Sequence, residues 1–205
     1  MGQSLELMFL SPGRIERTTI REKLVELGLR LEEVRGSLDW MTWEPKGGHI
    51  EVDATVYHGM WDAHFVRLDF DSNLLRDQRV DESKNLIDEF LALGAQIWNA
   101  FPFYEGELAP EDVGSLLYGL RGHVTTLREI LPESNYARFL SPDAASFANI
   151  RDWTLKDHPR ASIRPLPDTS VLVIWDDSME GLTRFLSKEF SIGTTKSVGL
   201  DSNPG

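Results

Sequence analysis

Two short runs of alternating residues constrain this chain most. Ile50, Val52, Ala54 and Val56 alternate with Glu51, Asp53 and Thr55, and Val66, Leu68 and Phe70 alternate with Arg67 and Asp69. Successive side chains on a strand point to opposite faces, so each run buries one face and wets the other. For the two apolar sets to share a face, paired residue numbers must have an even sum. A three-residue loop, Met60-Trp61-Asp62, meets that condition with Val56 opposite Val66 and Ala54 opposite Leu68. The same register sets His58 opposite His64 on the apolar face. On the other face it sets Thr55 beside Arg67 and Asp53 beside Asp69.

Around this central hairpin (about 49–71) the pattern predicts an α+β fold, a mostly antiparallel sheet with helices packed on one face. Leu5 to Leu10 reads as a first strand, stopped by Ser11-Pro12-Gly13, and Leu38 to Trp43 as another. Ile20, Leu24 and Leu27 recur at helical spacing, and Gly28 suits the position just past a helix end. The strongest helix has Asp81 as N-cap and Glu82 in its first turn. Leu86, Phe90, Leu93 and Ile97 form its apolar stripe, and Pro102 ends it. After a loop from Glu105, Pro110 reads as the start of a helix carrying Leu116, Leu117 and Leu120. Ala144 to Trp153 reads as helical, and Pro159, Pro165 and Pro167 mark the next stretch as loop. Val171 to Trp175 is an unbroken apolar run, suited to a strand buried on both faces. Residues 1–190 are expected to form one domain and 191–205 a frayed tail.

Charge narrows the possible partners. Of a net charge of −12 the chain carries −10 between Glu51 and Asp112, where the only bases are Arg67, Arg76, Arg79 and Lys84. Such a field repels phosphates and anionic lipid, so neither nucleic acid nor a membrane surface is an expected partner. With no cysteine, disulfides and thiolate metal sites are excluded. No apolar run approaches membrane-spanning length, and Met1 to Phe9 lacks the basic start and length of a signal peptide, so a cytoplasmic location is expected.

Few residues carry recognisable chemistry. His58 and His64, with Asp62 at the turn, could place nitrogen and oxygen ligands around a divalent metal. The simpler reading is that the two histidines finish the apolar face. Trp40, Trp43 and Trp61 could cluster, and Trp61 at the tip is suited to contact a partner. Trp98, Phe101, Phe103 and Tyr104 surround Pro102, as a helix end wedged into a core would. Asp176 and Asp177 at a strand end read more simply as a helix cap than as an acid–base pair, and Asp69-Phe70-Asp71 alone is a weak metal signal. There is no GxGxxG, no P-loop and no GxSxG.

These features predict a non-enzymatic binding protein, free of cofactors, whose acidic surface recognises a basic protein. In composition and layout it is similar to bacterial immunity and antitoxin proteins that neutralise basic toxins. The expected partner-facing residues are Trp61, Asp81, Glu82, Asp88, Glu89, Glu105, Glu107, Glu111 and Asp112. A metal-dependent hydrolase built on the hairpin histidines is the first alternative, and a structural subunit of a larger assembly the second.

Overall fold

The hairpin pairs in the register that the alternation demands. Val56 faces Val66, Ala54 faces Leu68 and His58 faces His64 in the computed structural model. It describes residues 4–45, 48–58, 64–71, 80–110, 136–147 and 161–176. Nearly half of these are in strands: β1 (Ser4–Ser11), β2 (Arg30–Arg35), β3 (Leu38–Trp43), β4 (Ile50–His58), β5 (His64–Asp71), β6 (Glu105–Pro110), β7 (Ala137–Leu140), β8 (Ala161–Pro165) and β9 (Val171–Trp175). The α-helices are fewer: α1 (Arg17–Glu26), α2 (Val80–Ala100) and α3 (Pro142–Phe147). The strands form one nine-stranded sheet, β2-β3-β4-β5-β1-β6-β7-β9-β8, with every neighbouring pair antiparallel. The hairpin lies inside this sheet, and β1 occupies its middle position.

Alternation sorts the side chains into two layers. Leu5, Leu7 and Phe9 of β1 join Val66, Leu68, Phe70, Leu108, Phe139, Leu172 and Ile174 in the main core. Ile20 and Leu24 of α1 and the stripe Leu86, Phe90, Leu93 and Ile97 of α2 close that core. Leu10, Leu140 and Val173, one residue out of phase, belong to a second cluster with Ala144 and Ala145 of α3. The two long helices therefore share one face, whereas the short α3 packs on the other. The expectation that all helices lie on one face is corrected accordingly. Val171–Trp175 feeds both clusters, as expected of a strand buried on both faces.

The helix ends follow local rules. Past α1, Leu29 N–H reaches Leu24 O and Gly28 N–H reaches Val25 O, both at 3.0 Å. This is the Schellman arrangement. Gly28 takes the left-handed conformation (φ 98°) that it needs. Pro102 stops α2 two residues after Ala100, and Phe103 N–H turns back to Phe101 O at 2.9 Å. Because α2 begins at Val80, Asp81 stands inside its first turn and is not the N-cap.

Three further expectations need correction. Glu105 to Pro110 is a strand, so Pro110 ends β6 and does not start a helix. Arg30–Arg35, which shows no apolar alternation, is the edge strand β2. Ala137–Leu140, to which the sequence pattern assigns no element, and Ala161–Pro165, read as loop, are both strands. Of the helix expected over Ala144–Trp153, the described part is helical as Pro142–Phe147, and residues 148–153 lie outside the described ones. Residues 111–135, 148–160 and 177–205 lie outside the described ones, as do the expected tail and the helix carrying Leu116.

One buried carboxylate ties α1 to the sheet. Asp39 accepts hydrogen bonds from Arg17 Nη2 at 2.6 Å and Arg21 Nη2 at 2.7 Å, and Arg17 Nη1 also reaches Gly36 O at 2.7 Å. Burial opposes ionisation of Asp39, but the hydrogen bonds from Arg21 and Arg17 outweigh it and hold the carboxyl below its ordinary 3.8. A depressed folded value stabilises the fold fully above pH 3.8, and that contribution fades as pH falls through the lower folded value. Asp39→Ala should cost about 2 kcal/mol at neutral pH. The deficit should shrink in acid; urea titrations across pH check both points, and a variant as stable as the parent at neutral pH would refute the tie.

Candidate functional site

The face of the sheet opposite α1 and α2 carries the charge. Strand register aligns Trp40, Asp53, Asp69 and Glu6 in one row across β3, β4, β5 and β1. The adjoining row runs Leu38, Thr55, Arg67, Met8, Glu107 and Arg138, reaching β7. Directly opposed side chains sit about 5 Å apart at Cβ, so each row is a line of contacts. Trp40, Asp53 and Asp69 are half-buried, the Asp69 side chain at 19% exposure, and Glu6 is buried, its side chain at 6%.

Arg67 serves the inner end of this row. Its Nε donates to both Asp69 oxygens at 2.8 and 2.9 Å, and its Nη2 lies 3.1 Å from Glu6 Oε1. Asp53 is left in a different state. Burial pushes its carboxyl up, and Asp69 opposite pushes it further. Arg35 opposes both, and Glu51 adds a smaller upward push. Asp53 Oδ1 is buried and has no hydrogen-bond partner among the described residues.

The sign of this shift predicts a gain. A folded value raised above 3.8 favours the neutral acid in the fold, and that contribution is lost as pH rises through the raised value. Asp53→Asn should therefore stabilise the protein at neutral pH by about 0.2–1 kcal/mol, the scale of a cross-strand pair. The gain should vanish below pH 3.8. Thermal melts at the two pH extremes decide it, and a neutral-pH loss would contradict the assignment.

The outer end of the row holds an aromatic contact. Arg35, on β2, places its guanidinium carbon 4.5 Å from the Trp40 ring centre. Glu33 holds that guanidinium from the side, accepting from Arg35 Nε at 2.8 Å. The residue that makes this possible is Glu32, where a bulge shifts the β2–β3 register and brings Glu33 opposite Trp40.

The expected site residues scatter. Asp88 is exposed and Glu89 half-buried on the outer side of α2. They lie across the sheet from Asp53 and Asp69. Asp81 and Glu82 are in the first turn of α2, with side chains outside the described set. Trp61, Asp62, Glu111 and Asp112 are also outside it. Glu105 and Glu107, expected at a partner-facing surface, are instead fully buried and are corrected here. Both are on β6 and face Arg138, whose Nη2 is 2.8 Å from Glu107 Oε2 and whose Nη1 is 3.7 Å from Glu105 Oε2.

The histidines and aromatics also separate. His64 is buried on the helix side, His58 is described only as the strand residue opposite it, and His49 is exposed, 3.6 Å from Glu44. Among the described residues no group of three His, Asp or Glu side chains is placed to hold a metal. Trp40 and Trp43 point to opposite faces, Trp43 packing against Phe70 and Phe90 in the core. Trp98 and Phe103 pack with Phe9 and Phe139 as the expected wedge. Asp176 is exposed at the end of β9, within 3.5 Å of Ser162 Oγ. Sequence reasoning missed Glu6, Arg35 and Arg138. Glu6 was visible in principle, since it stands out of phase with Leu5, Leu7 and Phe9.

No helix among the described residues is long and apolar enough to cross a membrane. No protein-family model matches the chain, and no curated protein or solved structure matches it.

Proposed function

We propose that this protein is a non-enzymatic binding module whose acidic sheet face recognises a basic protein, in the manner of proteins that neutralise basic toxins. The reading rests on the carboxylate row of Asp53, Asp69 and Glu6 across three neighbouring strands, with Arg67 set against its inner end. A cation docked beside Asp53 would relieve a like-charge contact that the fold maintains at a cost. A perturbed acid of this kind is more common at functional sites than elsewhere. The face also meets the electrostatic requirement: opposed potentials speed encounter and reject wrong partners.

The test uses a basic polypeptide of mixed lysine and arginine, titrated calorimetrically at low and high salt. Binding should weaken with salt. It should fall by roughly tenfold or more in a Glu51→Lys, Asp53→Lys double reversal, the loss of about one strong charged contact. Asp88→Lys, on the other side of the sheet, should leave it unchanged. Equal losses from both sides, or none, would end the reading.

A further inference from the structure

Resting on that reading, we infer that Trp40 and Asp53 form a receptor for an arginine side chain of the basic partner, and that Arg35 is the chain's own occupant of its aromatic half. Trp40 and Asp53 are direct cross-strand neighbours, both half-buried, on the face away from α1 and α2. A guanidinium offers two kinds of contact, a flat face that stacks on an aromatic ring and an edge of N–H donors that fits a carboxylate. Adjacent ring and carboxylate are the matching pair.

Arg35 uses only one of the two. Its guanidinium carbon lies over the Trp40 ring, 4.5 Å from the centre. Its edge is turned to Glu33, with Nε at 2.8 Å and Nη2 at 2.7 Å from Glu33 Oε2. Asp53 is left with a buried oxygen that accepts no hydrogen bond from the described residues. A partner guanidinium taking the place of Arg35 could stack on Trp40 and donate to Asp53 together. Arg35 is well placed to give way. It is the last residue of an edge strand, its side chain is 52% exposed, and its ion pair with Glu33 is on the surface. Exposed pairs of this kind hold weakly. A lysine ammonium has no flat face to stack and cannot donate bidentately, so the receptor should prefer arginine.

The experiment compares a short oligo-arginine peptide with an oligo-lysine peptide of equal length. Affinity is measured by calorimetry, and the Trp40 indole N–H is followed by NMR after assignment with Trp40→Phe. The arginine peptide should bind roughly threefold to fivefold tighter, the size of an exposed cation–π contact, and should shift the Trp40 indole. Arg35→Ala should tighten arginine binding further by freeing the ring. Trp40→Leu should erase the preference while leaving binding of the lysine peptide intact, and Trp40→Tyr should retain part of it. Thermal melts confirm that each variant folds. Equal affinity for the two peptides, or a preference that survives Trp40→Leu, overturns the arginine receptor but leaves the basic-partner reading standing. Failure of both peptides to bind, even to Arg35→Ala, overturns both.

Discussion

Replacing Arg138 with methionine is expected to cost the fold about 3–5 kcal/mol, the range seen when one member of a buried ion pair is removed. Arg138 has no exposed surface and heads the largest fully buried side chains. Its guanidinium faces Glu107 and Glu105, themselves buried on the neighbouring strand. Methionine preserves much of the volume, so the loss would come from charge and not from a cavity. Two buried carboxylates would lose the cation that they share. Acid should narrow the gap between variant and parent, because protonating the glutamates removes charge that Arg138 no longer offsets. Combining Arg138→Met with Glu105→Gln and Glu107→Leu should recover much of the stability, since a well-packed apolar replacement avoids the desolvation cost. Urea titration of the single and triple variants checks this. A single variant within about 1 kcal/mol of the parent would mean that the cluster is not an electrostatic unit.

Gly106→Ala is expected to cost about 2–3 kcal/mol, toward the upper end of what overpacking does to a filled core. Gly106 is the direct partner of Phe9 across β1 and β6. An added Cβ would lie 2.4 Å from Phe9 Cδ1 and 3.1 Å from the carbonyl oxygen of Met8. The ring has little freedom to retreat, stacked on Phe103 at 5.0 Å and tilted against Phe139 at 5.6 Å. A smaller residue at position 9 should relieve the clash, so Gly106→Ala with Phe9→Leu should cost less than the two changes summed. Strict additivity in thermal melts would show that the ring is not the obstacle. Gly94 tells a related story within α2, where a Cβ would meet Phe139 Cζ at 2.7 Å. Glycine weakens a helix interior, and this contact explains its presence there.

The parts of the fold that could be read from the chain are those governed by parity and local chemistry. A one-residue slip between the strands would turn either Val52 and Ala54 or Val66 and Leu68 out of the core, so the register was legible from the sequence before any geometry. Gly28 and Pro102 act on their own neighbours and marked the ends of α1 and α2. β2 was hidden because an edge strand need not bury a face, and its charges pair along the strand, Arg30 with Glu32 and Arg35 with Glu33. Edge strands protect themselves with such charges. Glu105 and Glu107 were misplaced for a different reason. Their cation, Arg138, is 31 residues from Glu107 and inside an apolar strand, so no local window relates them. In the candidate site, the Asp53–Asp69 pair followed from the hairpin. The stack of Arg35 on Trp40 depends on a bulge at Glu32, which one sequence does not announce.

The strand order also sets a sequence of events in time. β2, β3, β4, β5 and β1 are consecutive neighbours in the sheet, and all are complete once residue 71 has been synthesised. β1 then offers a bare edge from Leu5 to Leu10 until residues 105–110 arrive to cover it. A ribosome adds on the order of ten residues per second, so that edge stands open for seconds in every round of translation. Nascent chains are at that stage open to pairing with one another, and α2, made in the interval, covers the apolar face but not the edge. The exposure of β1 is therefore confined to synthesis, since in the finished sheet β6 covers it and β2 and β8 form the edges among the described residues.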